Sequence, residues 1–178
     1  MHVISKLILT SALLSQIVGC VPIVAGGAAA GGAIAADRRS AGFYIEDENI
    51  ELKAFKKMET NLGEDAHVNV TSYNRNVLLT GEVPVAESKT KATTLVKEIA
   101  NVREITNEIV VMPKSTIGSR GNDTLITSKV KTKFLTENKF PANYVKVVTE
   151  NGVVYLLGIV TKAEGNDAAD IASSVDGV

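Results

Sequence analysis

Three side chains carry most of the nucleophilic or metal-binding chemistry that this sequence offers. Cys20 is its only thiol, and its histidines are His2 and His67. A single cysteine excludes a disulfide within one chain, and two distant histidines give little basis for a metal site. The many carboxylates are interspersed with lysines on predicted helix surfaces, which favours solvation over paired acid–base catalysis. The sequence therefore predicts no enzyme, no cofactor and no metal site.

The chemistry of Cys20 is indicated by the residues before it. Lys6 supplies one firm positive charge, and residues 7–18 form an apolar run that is long enough for a signal peptide and too short for a membrane span. The tetrapeptide IVGC at 17–20 resembles the lipobox of bacterial lipoproteins, although isoleucine stands where leucine is commonest. This resemblance implies a signal peptide over residues 1–19 and a diacylglycerol attached to Cys20, the mature N-terminus.

The residue after Cys20 indicates to which membrane the lipoprotein is sorted. It is Val21 rather than aspartate, which in Gram-negative lipoproteins implies sorting to the outer membrane, with the protein facing the periplasm. Two or three acyl chains would hold it there, since each buried methylene contributes about 0.8 kcal/mol. The alternative is that Cys20 is a buried apolar residue of an uncut anchor helix. Pro22 and the glycines that follow weaken a continuing helix and favour the lipoprotein.

Residues 20–46 are predicted to be a flexible tether, because much of this stretch is alanine and glycine and cannot build a core. Gly27 and Gly31 have the spacing that lets two helices approach closely in lipid. Self-association through this tract is therefore a hypothesis.

From Asp47 onward the chain repeats itself. The stretch HVNVTSYNRNVLLTGEV (67–83) aligns without a gap with YVKVVTENGVVYLLGIV (144–160). Identical residues recur at seven positions, among them Asn74 and Asn151, and Gly81 and Gly158. Two copies of one small fold are the simplest explanation.

Each copy has the pattern of a helix followed by a hairpin and a second helix. The first helices are predicted over 47–60 and 123–136, each beginning with an aspartate that caps it or complements its dipole. Alternating valines predict the strands of each hairpin, and its glycine marks a bulge or a close backbone approach. In the first copy REITNEIVVMP (103–113) predicts a third strand that ends before proline. The fold class is α+β, with two tandem two-layer α/β sandwiches.

The predicted domains span residues 47–112 and 123–178, joined by a linker over 113–122 that is rich in proline, glycine and serine. Such a linker is compatible with loosely strung or with docked domains. The second copy stops where its third strand is expected to begin. Either the sequence is truncated, which we favour, or this domain lacks or borrows a strand and exposes a sheet edge open to self-association.

This organisation resembles the BON domain of periplasmic osmotic-stress proteins and envelope lipoproteins. A lipobox, an Ala/Gly tether and two such domains together resemble the dual BON-domain outer-membrane lipoproteins. The stretches NDTLITSKVKTKFLTEN (122–138) and TENGVVYLLGIVT (149–161) make the match specific. The resemblance implies lipid binding and a non-catalytic role in outer-membrane integrity.

The two copies differ on the outer side of their first helix. Leu125 and Leu135 of the second copy stand where the first copy has Asn49 and Glu59. Residues 123–135 also carry three lysines against one aspartate, whereas residues 47–59 carry three lysines against four acids. Only the second helix is basic and apolar on its outer face.

Exposed leucines beside lysines suit a helix that lies in a membrane interface. The hypothesis is that the second copy binds anionic phospholipid through the residues Leu125, Lys129, Lys131, Lys133 and Leu135. One alternative is that both leucines pack against the first copy beside a solvated lysine face. The other is a structural lipoprotein whose two domains dock on each other or on envelope proteins, without direct recognition of lipid. Binding to nucleic acid is not expected, because the basic cluster lacks interleaved aromatics.

Overall fold

The computed structural model describes residues 38–178. The predicted signal peptide, Cys20, and Gly27 and Gly31 lie outside the described residues. In chain order the elements are α1 (Ala41–Leu62), β1 (His67–Tyr73), β2 (Asn76–Val83), α2 (Ala86–Lys97), β3 (Glu104–Asn107), β4 (Val110–Val111), α3 (Ile117–Glu137), a 3₁₀ turn (Ala142–Tyr144), β5 (Val145–Glu150), β6 (Val153–Gly158) and α4 (Lys162–Ser173). The α+β class and the helix–strand–strand–helix repeat are confirmed.

The first domain is a sheet covered on one face by α1 and α2. β1 and β2 are antiparallel, with Val70 opposite Leu79. The α2 crossover returns the chain so that β3 and β4, two short segments in place of the single predicted strand, both run parallel to β2. The buried core consists of Ile50, Ala54, Met58, Val77, Leu79, Val83, Ala92, Leu95, Val96, Ile99 and Ile109.

The second domain repeats this plan with a smaller sheet. β5 and β6 form an antiparallel pair with Val147 opposite Leu156, and among the described residues no strand pairs with the other edge of β6. Its buried core consists of Ile126, Val130, Phe134, Phe140, Val145, Val147, Ala168, Ile171, Ala172 and Val175. Val154 and Leu156 of β6 are only half-buried, so this core is less well covered.

Both long helices begin earlier than the sequence analysis expected. Ser40 caps α1 by accepting a hydrogen bond from the amide of Phe43 at 3.3 Å, and Thr116 caps α3 through the amide of Ser119 at 3.1 Å. The expected starts at residues 47 and 123 were wrong, because hydroxyl side chains upstream satisfy the first free amides. The last residues assigned to the tether and to the linker are therefore helical.

Asp47 and Asp123 are not helix caps but tie each helix to its hairpin. Asp47 is buried and accepts hydrogen bonds from the amides of Asn74 and Arg75, both at 2.7 Å. Asp123 accepts from Asn151 and Gly152 in the same way, at 3.0 and 2.8 Å. All four turn residues have positive φ, the conformation of a tight hairpin turn whose amides point outward. The repeated aspartate therefore fixes the turn on the helix.

The repeated glycine is required by a close backbone approach. A Cβ on Gly81, which has φ +106°, would clash with the carbonyl oxygen of His67. A Cβ on Gly158 would lie 2.7 Å from the carbonyl oxygen of Tyr144. In both hairpins the strands meet too closely for a side chain.

Within residues 38–178, no helix combines the length and apolar character needed to cross a membrane.

Candidate lipid-binding site

The outer face of α3 is apolar and open to solvent. Ile126, Val130 and Phe134 point into the core and are at most 1% exposed, whereas Leu125 and Leu135 are 61% and 69% exposed. The alternative in which both leucines pack against the first domain is therefore wrong. A step of 100° per residue places them about 80° apart on the side away from the core.

A third apolar residue joins this face because α3 begins at Ile117. This side chain is 83% exposed, and eighteen residues, or five full turns, separate it from Leu135, so both project in the same direction. The sequence analysis missed it by assigning residues 113–122 to a linker. Thr116 before an apolar residue was the available signal, since threonine is a common N-cap.

The three candidate lysines do not share one environment. Lys129 and Lys131 are exposed beside the leucines. Lys133 is half-buried, and its Nζ donates to the carbonyl oxygen of Ser174 at 3.2 Å and to Oγ of Ser174 at 2.8 Å. It thereby binds the C-terminal end of α4, about 160° around the helix from Leu135. The structure thus brings together Leu125, Lys129, Lys131 and Leu135, and places Lys133 apart.

The two domains dock through a buried polar network. Glu82 of β2 accepts a hydrogen bond from Nδ2 of Asn151 at 2.6 Å, and Glu150 of β5 accepts one from Nδ2 of Asn69 at 2.7 Å. Each carboxylate is buried and is satisfied by the opposite domain. Of the two linker alternatives, docked domains are observed.

The ionised form of the Glu82 carboxyl group is favoured although this side chain is buried. Loss of solvent raises the pKa of the Glu82 carboxyl, but hydrogen bonds from Asn151, from the amide of Ser115 and from His67 lower it, and the net direction is downward. His67 Nδ1 lies 3.1 Å from Glu82 and 3.9 Å from Glu150. The histidine thus belongs to the domain contact rather than to a catalytic pair.

His67, Glu82 and Glu150 are also the described residues best placed to hold a metal ion, since one ligand atom from each lies within 4.8 Å of the others. The sequence analysis did not foresee this grouping. Both carboxylates already accept hydrogen bonds from protein donors. We therefore assign the three residues a structural role in docking.

The residues just before α1 join the same two domains. Arg38 forms a bidentate ion pair with Glu164 at the start of α4, at 2.9 and 2.8 Å, and stacks 4.0 Å from the ring centre of Tyr144. The hydrogen bonds from Arg38, with those from Thr161, lower the pKa of Glu164 to about 2. The neighbouring Arg39 pairs with Asp47 of the first domain at 2.8 Å. This end of the predicted tether is therefore docked.

Comparison with known proteins agrees with this architecture. The BON domain family model matches residues 46–113 and again residues 122–178. The chain is 41% identical over 162 residues to the outer membrane lipoprotein DolP of Haemophilus influenzae, covering 90% of this chain and 84% of that protein. It is 38% identical to the 21 kDa hemolysin of Actinobacillus pleuropneumoniae over 144 residues, covering 80% and 74% of the two chains.

A more distant relative is the osmotically-inducible protein Y of Escherichia coli, which is 28% identical over 154 residues and covers 84% of this chain and 76% of its own length. The family and these relatives indicate a non-enzymatic envelope protein. The chain belongs to the BON domain family and is a dual BON-domain lipoprotein, anchored by lipid to the outer membrane and facing the periplasm.

Proposed function

We propose that the protein binds anionic phospholipid through the outer face of α3 and thereby supports the integrity of the outer membrane. The observation that carries this proposal is the exposure of Ile117, Leu125 and Leu135 along one side of a basic helix. Single exposed apolar residues are ordinary, but three on one helix face beside Lys129 and Lys131 form a patch that favours an interface.

The energetics favour a shallow, reversible contact. Fully burying one large aliphatic side chain contributes about 1.5–3 kcal/mol, and these residues would leave water only in part. Each lysine near an anionic surface adds about 1 kcal/mol, and this contribution falls off within a Debye length of the surface. Lys129 and Lys131 are placed to contribute in this way. Lys133 is also proposed to contribute, but less, because its ammonium group is bonded to Ser174.

The lipid anchor makes such a weak contact effective. An acyl chain in the membrane keeps the domains close to the lipid surface, which raises their effective concentration there. A weak affinity of the described domains for the lipid surface is then enough to favour one orientation on the membrane or one lipid composition. Charge on the lipid decides that choice, because the patch is basic.

The test is co-sedimentation of residues 33–178 with vesicles of phosphatidylglycerol and phosphatidylcholine, or of phosphatidylcholine alone. The described part of this fragment, residues 38–178, belongs to one compact unit and contains both cores. We expect binding to the anionic vesicles only, and weaker binding as added salt shortens the Debye length from about 10 Å at 0.1 M to about 3 Å at 1 M.

The variant Leu125→Glu with Leu135→Glu should abolish vesicle binding. A charge-matched control is Leu52→Glu with Phe55→Glu on α1, where both side chains are more than half exposed, and it should bind like the wild type. Retained binding by the α3 variant would rule out this face as the lipid site. No binding by the wild type would instead favour the alternative, a structural lipoprotein that binds envelope proteins.

A further inference from the structure

The outer side of α1 carries a second exposed apolar surface. Ile45, Leu52 and Phe55 are 59%, 55% and 56% exposed. Together with Glu48 and Glu59 they recur at intervals of three and four residues, which places all five on one stripe of the helix. We call this stripe the acidic face of α1.

Clefts beside the acidic face can receive side chains from a partner. A cleft of about 700 Å³ lies between α1 and β1 and is lined by Phe55, Met58, Leu62 and Val68. A second cleft of about 320 Å³ is lined by Glu48, Leu52 and Phe55 and by Val70 of β1. The apolar side chains of the face thus border concave surface, into which complementary side chains of a protein partner can pack.

The corresponding stripe of α3 has the opposite charge. The five positions hold Gly121, Thr124, Ser128, Lys131 and Leu135. Over their full lengths, α1 carries five acids and three lysines, a net charge of −2, whereas α3 carries three lysines and one arginine against two acids, a net charge of +2. The two helices are complementary in charge, and both expose large apolar side chains.

Within one molecule the two helices do not cover each other, because Leu52 and Phe55 of α1 and Leu125 and Leu135 of α3 are all more than half exposed. We propose that the acidic face of α1 is an interaction surface for the basic outer face of α3 of a second copy. Glutamates oppose lysines across this contact, while the leucines and Phe55 leave water.

This contact joins two different surfaces, so it does not close on itself. Each copy that donates its α3 still offers a free α1, and further copies add head to tail. Anionic lipid would compete for the same α3 face. The proposal therefore predicts short chains of the protein away from lipid and their dissociation on an anionic membrane, but it does not require that lipid binds.

The experiment is sedimentation velocity of residues 33–178 from about 1 µM to about 1 mM. The wild type should sediment faster as concentration rises, and less so in high salt. Leu52→Ser with Phe55→Lys gives α1 the residues that α3 carries at Ser128 and Lys131, and this variant should remain a monomer. The Leu125→Glu, Leu135→Glu variant should also remain a monomer.

Mixing the two variants gives the decisive result. One retains an intact α3 and the other an intact α1, so together they should form a complex of two chains that grows no further. A wild type that stays monomeric to about 1 mM, or a mixture without a complex, would overturn the proposal. So would concentration-dependent growth of the α1 variant alone. Matching circular dichroism and melting temperatures would show that the variants are folded.

The experiments distinguish a failure of the self-association proposal from a failure of the lipid-binding proposal. Vesicle binding is measured on the wild type at about 1 µM, the low end of the sedimentation series, where we expect the least association. Self-association is measured without lipid. Either result can be positive when the other is negative, and adding anionic vesicles to associated wild type tests the predicted competition directly.

Discussion

The two BON domains share their interior and differ on their surfaces. In each, one aspartate of the long helix holds the hairpin turn, and a glycine admits the close approach of the hairpin strands. The outer helix faces have diverged, acidic in α1 and basic in α3. Repeated positions therefore build the fold, and positions that differ between the copies are those on which we base proposals of function.

The two domains also differ in how well their second hairpin strand is buried, which is better in the first domain than in the second. In the first domain β2 lies between β1 and the segments β3 and β4, and Val77 and Leu79 are at most 1% exposed. In the second domain β6 pairs only with β5 among the described residues, and Val154 and Leu156 remain half-buried. The strands β3 and β4 thus supply part of the burial of Val77 and Leu79. The equivalent residues of the second domain, Val154 and Leu156, lack this cover.

The largest expected effect concerns the repeated aspartate. Asp47→Ala removes hydrogen bonds to two turn amides and to Ser72, and also the ion pair with Arg39. We expect a loss of about 3–5 kcal/mol in the free energy of unfolding, as for breaking a buried ion pair. Asp123→Ala removes the hydrogen bonds from two turn amides and should cost about 1.5–3 kcal/mol.

Urea unfolding followed by circular dichroism measures both costs, with Asp65→Ala at an exposed position as the control. Equal losses for Asp47→Ala and Asp123→Ala would show that the additional partners of Asp47 add no stability.

The second expected effect compares the two cores. Leu79→Ala removes a side chain that is fully buried and should destabilise the protein by about 2–5 kcal/mol. Leu156→Ala at the equivalent, half-buried position should cost about half as much, because less apolar surface returns to water. The measurement is again the urea midpoint, with the exposed Leu52→Ala as reference. A larger cost at Leu156 would contradict the difference in core coverage.

The third effect is a gain in stability from covering β6. Extending the chain after residue 178 by a copy of residues 103–111 supplies the parallel strand that β2 has in the first domain. We expect a stabilisation of about 2 kcal/mol and a rise in melting temperature of about 4–8 °C. A scrambled extension of the same composition is the control. Identical melting temperatures for the two extensions would show that the edge of β6 does not accept such a strand.

The parts of the fold that the sequence predicted are local ones. The hairpins, their glycines and the two core stripes follow from residue spacing within short windows, which periodicity can detect. The helix starts were misplaced because an aspartate ahead of each apolar pattern suggested a cap, whereas Ser40 and Thr116 provide the caps farther upstream.

The domain contact was not predictable in the same way, because its hydrogen-bonded partners lie 69 and 81 residues apart in the chain. Its signal was indirect: Glu82 and Glu150 stand where the other copy has Ile159 and Tyr73. A charged residue in a strand, at a position that is apolar or aromatic in the other copy, indicates a special environment. It does not identify which partner supplies that environment.

The smallest expected effect is the pH dependence of domain docking. Hydrogen bonds from Arg38 and from Thr161 hold the pKa of Glu164 at about 2, and hydrogen bonds outweigh burial to lower the pKa of Glu82. Both carboxyls have lower pKa values in the folded than in the unfolded chain, where about 4.3 is ordinary. The stability they contribute is therefore fully present above that value and is lost as the pH falls through the folded values.

Urea midpoints measured from pH 6 to pH 3 should therefore decrease for the wild type. Glu164→Gln carries no charge to pair with Arg38, so its urea midpoint should be lower than that of the wild type at pH 6. Because glutamine does not take up a proton as the pH falls, this midpoint should also decrease less on acidification. Arg38→Gln should behave alike, because it removes the cation that lowers the pKa of Glu164. If both variants follow curves parallel to the wild type, the Arg38–Glu164 ion pair does not couple the stability of the docked domains to pH.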